Sequence, residues 1–424
     1  MPHLFLFLFL FLGGCSMHTP KPHEYQLSWE WWRLFENQEL TQMVENSFSH
    51  PSLRRIRYQL AELKALKESQ RAKLFPSLAL QGSKEFSLDA DDESSKGYVL
   101  ALSVDFDPDF FAKNRDLLRS TAFEEDAKRL ELIAAKNEWA AQVVKDYIGY
   151  CYQKRQIELL EKKIEVLEEN RKVLYAYYLS GERGLNDYLV VDNEYVDAKE
   201  ELGRSKLLLR LFADALEYET KRLPSCQKVA DPALASMKLA DLEQRADLLA
   251  AKFTLLAAMK RYESIKKNVL PDLRLSSAFR MQDSTLANLL QSWIWSWGIS
   301  LGVTLFDGGG LQAQHRVYKA KVLQRSMEYK DLLLRSIKDL KDTWQQIVRS
   351  QNRITHLRQK LKNQKEEQVV VRWRFLSQES GGADLLRVRS REIGLLIDEL
   401  EARGELLIAK AEYLKSVVIV KERR

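Results

Sequence analysis

Twice in this chain a stretch of period-two alternation interrupts long, breaker-poor helical sequence, and that combination leaves few architectures open. From Trp293 to Phe306 the odd positions are Trp293, Trp295, Trp297, Ile299, Leu301, Val303 and Leu305, and the even ones include Ser296, Gly298, Ser300, Gly302 and Thr304. Tyr98, Leu100, Leu102, Val104 and Phe106 alternate likewise with Val99, Ala101, Ser103 and Asp105, while Leu78/Leu80 and Leu273/Leu275/Phe279/Met281 begin two further strands. Each is long enough to cross a bilayer when tilted, because roughly 9–11 residues suffice. Four strands cannot close a barrel, and an open edge in lipid leaves backbone groups unpaired at a cost of several kcal/mol each. A barrel is therefore expected to be shared between subunits. Amphipathic hairpins packed on a soluble core would explain the alternation, but not why each hairpin interrupts a helical array. The Trp293/Trp295/Trp297 stripe is core in that second case and an interfacial girdle in the first.

The interruption recurs because the chain is duplicated. Leu74-Phe75-Pro76-Ser77-Leu78 has its counterpart in Val269-Leu270-Pro271-Asp272-Leu273, and Phe106-Asp107 in Phe306-Asp307. Ile157, Leu160, Ile164 and Leu174 correspond at one constant offset to Ile354, Leu357, Leu361 and Val371, as do Tyr178-Leu179 to Phe375-Leu376 and Asp187 to Asp384. Heptads alone can mimic such a match, but the Pro and Phe-Asp punctuation lies outside them. Each half reads as helix, strand, strand, very long helix, tight turn, helix. The long helices run with few breakers to about Leu179 and Leu376, roughly 100 Å of rod each at 1.5 Å per residue. They reverse at Ser180-Gly181-Glu182-Arg183-Gly184 and Ser380-Gly381-Gly382, where glycine supplies the backbone freedom. The polar stretches Asp89 to Lys96 and Asp283 to Ser292 read as surface loops.

Composition removes other classes. The chain has 424 residues, 45% hydrophobic and 30% charged, which excludes disorder and a polytopic helical membrane protein. The net charge of +6 is spread over alternating segments such as Glu161 to Lys172, which points away from nucleic acid. No metal-ligand spacing, GxSxG or nucleophile with a base is present, so no catalytic site, metal or cofactor is expected. Cys151 and Cys226 can pair in an oxidising compartment, but the sequence supplies no geometry, and two free buried thiols is the preferred reading. The apolar run Leu4 to Leu12 has signal-peptide length, and Leu12-Gly13-Gly14-Cys15 resembles a lipobox, which makes Cys15 the expected site of acylation and the mature N-terminus.

Three motifs carry a family resemblance. Trp29-Trp31-Trp32 with Phe35 and Leu40 resembles an opening "W…F…L" segment, Arg245-Ala246-Asp247-Leu248-Leu249-Ala250-Ala251 resembles "RPDLLAAE" with Ala246 in place of Pro, and Leu305-Phe306-Asp307-Gly308-Gly309-Gly310 resembles an "LFDGG" corner. Together with the repeat they identify the chain as similar to the TolC-like outer-membrane efflux factors, in their lipidated branch. The resemblance implies a mainly α fold with a β-barrel part: a homotrimer, a 12-strand barrel in the outer membrane and a periplasmic barrel of 12 long helices. It implies an export duct gated at the periplasmic helix tips, meeting a periplasmic adaptor protein and an inner-membrane pump, and anchored in outer-membrane lipid. Acidic residues just after the tip turn line the entrance in that family. Asp187 and Asp384 stand there, but the second acid expected three residues on is Val190 in one half and Arg387 in the other. A plainer role for Asp187 is to cap or complement the helix start.

The division expected from these readings is a signal peptide at 1–14, a lipidated segment at 15–37 and a first repeat at 38–222, with strands at 77–87 and 97–107 and a helical hairpin at 110–222. A linker at 223–237 leads to a second repeat at 238–421, with strands at 272–282 and 293–307 and a hairpin at 311–421. Phe306, Asp307, Gly308 and Gly309 form the expected strand-to-helix corner. The rival reading is a periplasmic lipoprotein adaptor or scaffold built on coiled-coil hairpins, which predicts one hairpin flanked by compact β-domains.

Overall fold

The computed structural model describes residues 25–27, 30–88, 94–234, 239–286 and 288–422. In chain order these form β1 (Tyr25–Leu27), α1 (Gln38–Ser47), α2 (Pro51–Ala72), β2 (Ser77–Leu88), β3 (Ser94–Phe106), α3 (Lys113–Leu179), α4 (Leu185–Thr220), α5 (Ala246–Lys266), β4 (Asp272–Asp283), β5 (Trp293–Gly302), α6 (Gly310–Leu376), α7 (Gly382–Val417) and β6 (Val420–Glu422), with short 3-10 turns between some of them. The expected signal peptide and Cys15 lie outside the described residues, as does Trp29.

The duplication is visible in backbone dimensions. The rods α3 and α6 each hold 67 residues, and the return helices α4 and α7 each hold 36. At 1.5 Å per residue the rods are about 100 Å long. They are held by neighbours rather than by propensity. The sheet-proximal half of α3 packs against α5 and α2, its distal half packs against α4 and α7, and α6 packs against α5 and α7.

The largest core sits midway along the rods. Trp31, Trp32, Phe35, Leu40 and Val44 come from the N-terminal segment and meet Val143, Val144, Tyr147 and Ile148 of α3, Leu216 of α4 and Leu406, Leu407 and Leu414 of α7. Trp31 donates its indole N–H to Asn137 (2.8 Å), whose own amide reaches the Lys415 carbonyl (3.0 Å). Asn37 caps α1 by accepting from the Leu40 N–H (2.8 Å) and donates to the Tyr147 hydroxyl (2.9 Å). The opening aromatic motif is thus a plug for the waist of the bundle.

Three expectations are corrected. The strand expected at 293–307 ends at Gly302, because β4 begins at Asp272, the last partner of Gly302, and Pro271 before it has no N–H to continue the ladder. The second hairpin, expected to run to 421, leaves helix after Val417, and Val420–Glu422 pairs antiparallel with Tyr25–Leu27. Cys151 and Cys226 are not two free thiols but a disulfide with a Cα separation of 5.3 Å. The cause lies in the connection after α4. Lys221 turns it back in left-handed geometry, and it is then pinned by Ser225 N–H to Glu39 (2.6 Å), Gln227 C=O from Asn37 (3.1 Å) and Ala230 N–H to Phe35 C=O (2.9 Å), which lays Cys226 against α3.

Candidate translocation path: sheet, corners and hairpin tips

The four strands form one antiparallel sheet in the order β2-β3-β4-β5. Their register sorts every strand onto two faces. On one lie Leu78, Leu80, Leu100, Leu102, Val104, Leu273, Leu275, Phe279, Met281, Trp293, Trp295, Trp297, Ile299 and Leu301. On the other lie Ala79, Gln81, Ser83, Ala101, Ser103, Asp105, Arg274, Ser276, Ala278, Arg280, Ser296 and Ser300. Nothing among the described residues covers the apolar face: Leu80, Trp297 and Leu301 are each about 70% exposed. Trp293, Trp295 and Trp297 are therefore not core. Phe279 stacks on Trp293 (5.7 Å between centroids), and the Trp295 indole donates to Ser277 (3.0 Å). Within the chain the outer edges of β2 and β5 have no strand partner among the described residues. Among those residues no helix is long and apolar enough to cross a membrane.

At the corners, aspartates act together with the glycines. Gly308 and Gly309 take left-handed φ of 67° and 89°. Asp307 then accepts from the N–H groups of Gly309 (3.0 Å) and Leu311 (2.5 Å), stapling the start of α6 to the end of the strand segment. Phe306 is 90% exposed, outside any core of this chain. In the first repeat, Asp109 accepts from the N–H groups of Asn114 (2.8 Å) and Arg115 (2.9 Å), and Asp107 accepts from Asp109 N–H (2.9 Å). Below the corners two buried acids are compensated, Asp116 of α3 by Lys267 just after α5, and Glu125 by Lys67 of α2 and by Arg129 of its own helix. The Asp followed by a helix start was the available sequence signal.

The tips repeat one hydrogen-bond pattern. Glu182 N–H bonds to Tyr177 C=O (2.9 Å), and its counterpart Glu379 N–H bonds to Arg374 C=O (2.8 Å). Gly181 takes φ 78°, but at the corresponding place in the second turn the left-handed residue is Gln378, at φ 61°, so glycine is not what turns that helix. Asp187 and Asp384 occupy the first turns of α4 and α7, yet neither helix has a side-chain cap. Their carboxylates face arginines instead. Arg387 bonds Asp384 (3.0 Å), and Arg183 reaches Asp384 (3.6 Å) from the other hairpin and Asp187 (3.9 Å) on its own. Asp187, Asp384 and Arg387 are thus brought into one cluster. Arg183, an arginine four residues before an acid in a turn, is the member that sequence reading missed. Ala383 packs with Leu174, Val191 and Tyr195 of the first hairpin, joining the two tips.

Residues 240–415 match the family model described as outer membrane efflux protein. The chain is 22% identical over 377 residues to the cation efflux system protein CusC of Escherichia coli strain K12, covering 78% of this chain and 80% of that one. It is 19% identical over 344 residues to the probable outer membrane lipoprotein SilC of Salmonella typhimurium, covering 77% and 73%. A crystal structure of CusC, solved in work on folding and transmembrane channel formation, superposes with a TM-score of 0.82 at 16% identity, covering 92% of this chain and 94% of that one. Mainly α with a β part and internally duplicated, the chain has the fold of the TolC-like channels, and its second half carries the match to the outer membrane efflux protein family.

Proposed function

We propose that this chain is the outer-membrane channel subunit of a tripartite efflux or type I secretion system, a passive export duct whose periplasmic entrance is formed by the hairpin tips. The observation that carries this reading is the sheet. It has one largely apolar face, one largely polar face and two edges without a strand partner among the described residues, and it stands on two rods of about 100 Å. In lipid such a sheet is stable only when its edges are closed by other copies. Three copies make a 12-strand barrel with the polar face inward, continued below by 12 helices. The Cys151–Cys226 disulfide supports an oxidising compartment such as the periplasm. Acylation of Cys15 places the N-terminus in outer-membrane lipid, in keeping with the lipoprotein relative. The duct supplies a path and an entrance; an inner-membrane pump, joined through a periplasmic adaptor, supplies energy.

Planar-bilayer conductance of the detergent-purified protein, together with its mass in detergent, tests the reading. Discrete, long-lived steps from a trimer are expected. A monomer without conductance, after correct lipidation, overturns it in favour of the adaptor or scaffold.

A further inference from the structure

We propose that Arg183 and Arg387 set the charge character of the periplasmic entrance, holding the Asp384 carboxylate between two guanidinium groups so that the duct admits anions and zwitterions as readily as cations. This inference rests on the channel reading above.

A ring of bare carboxylates repeated by symmetry at a constriction favours cations. Here the carboxylates are not bare. Arg387 Nη2 lies 3.0 Å from Asp384 Oδ1, and Arg183 Nη2 lies 3.6 Å from Asp384 Oδ2, while Arg183 Nη1 lies 3.9 Å from Asp187 Oδ2. Of the two tip aspartates, Asp384 thus faces two guanidinium groups and Asp187 one.

The geometry also fixes Arg183 in place. Its N–H bonds to Tyr177 C=O (3.2 Å), and the Tyr177 ring lies against Gly381, where an added Cβ would stand 3.1 Å from the phenol oxygen. The turn bearing Arg183 is therefore packed on the turn that leads into Asp384. The ion pairs themselves are half-exposed, and pairs of that kind contribute little to stability. Their consequence is the local field, which extends about 8 Å at physiological salt and so spans a narrow entrance.

The test is the K⁺/Cl⁻ permeability ratio from reversal potentials across a salt gradient, measured on the purified channel and its variants. The parent channel is expected within about twofold of unity, and Arg183→Gln with Arg387→Gln to shift several-fold toward K⁺. Arg183→Lys, which keeps the charge, leaves the ratio unchanged. Asp384→Asn, nearly isosteric and independent of whether the arginine variants assemble, moves it toward Cl⁻. A parent ratio of about tenfold or more for K⁺, or a ratio that no variant alters, overturns this inference while leaving the channel intact. Absence of conductance in the parent instead removes the channel reading and this inference with it.

Discussion

Asp146 of α3 and Glu219 of α4 share a buried site at the waist, where both side chains are more than nine-tenths buried. Gln142 donates to Asp146 (2.6 Å), while Glu219 Oε2 meets no hydrogen-bond partner. Burial, reinforced by the Asp146 charge, pushes the Glu219 carboxyl up to about 8, so Glu219 keeps the proton. A pKa raised above its unfolded value contributes stability that is complete below the unfolded carboxyl range and lost as pH rises through about 8. Thermal melts from pH 5 to pH 9 should therefore show stability falling by a few kcal/mol between about pH 5 and pH 8 and little further above that, and Glu219→Gln should flatten the fall. The melts also distinguish two glycines. A Cβ at Gly149 would stand 2.6 Å from the Phe212 ring, whereas one at Gly203 meets nothing within 4 Å. Gly149→Ala is expected to cost about 1–3 kcal/mol by overpacking, and Gly203→Ala to gain up to about 1 kcal/mol from helix propensity.

Among the elements, the connection after α4 is held by a covalent link spanning 75 residues. Loop-closure entropy for that length predicts about 4 kcal/mol lost in the Cys151→Ser, Cys226→Ser double variant, seen as a lower melting temperature that reductant does not lower further. The sheet offers a second measurement. Leu102 lies on the apolar face and Ser103 on the polar one, so Leu102→Lys should lower folding into lipid vesicles by about 2–4 kcal/mol and Ser103→Lys by much less. Strands and rods were legible in the sequence because each obeys one period, two or near 3.6, over many residues. What was not legible depends on chain segments meeting in space. The disulfide needed the Asn37 and Glu39 anchors to bring the connection back, and the end of β5 was decided by where β4 begins. Arg183 gains its partner Asp384 only because two hairpins far apart in sequence have equal reach. Gln378 turns its helix without glycine, and no local composition signal marks it.

For the whole molecule, that equal reach is a testable dimension. Deleting one heptad from α3 and one from α4 would withdraw Arg183 from Asp384 by about 10 Å. Conductance recordings should then show a disturbed entrance, and the same deletion made also in α6 and α7 should restore the parent behaviour. The matched rods have a further consequence. In the proposed trimer, two hairpins of equal helix length per chain make six in a pseudo-sixfold ring. Side chains break that ring into alternating members, Asp187 with Val190 in one half and Asp384 with Arg387 in the other. A partner that reads only shape finds six equivalent berths, while one that reads charge finds three.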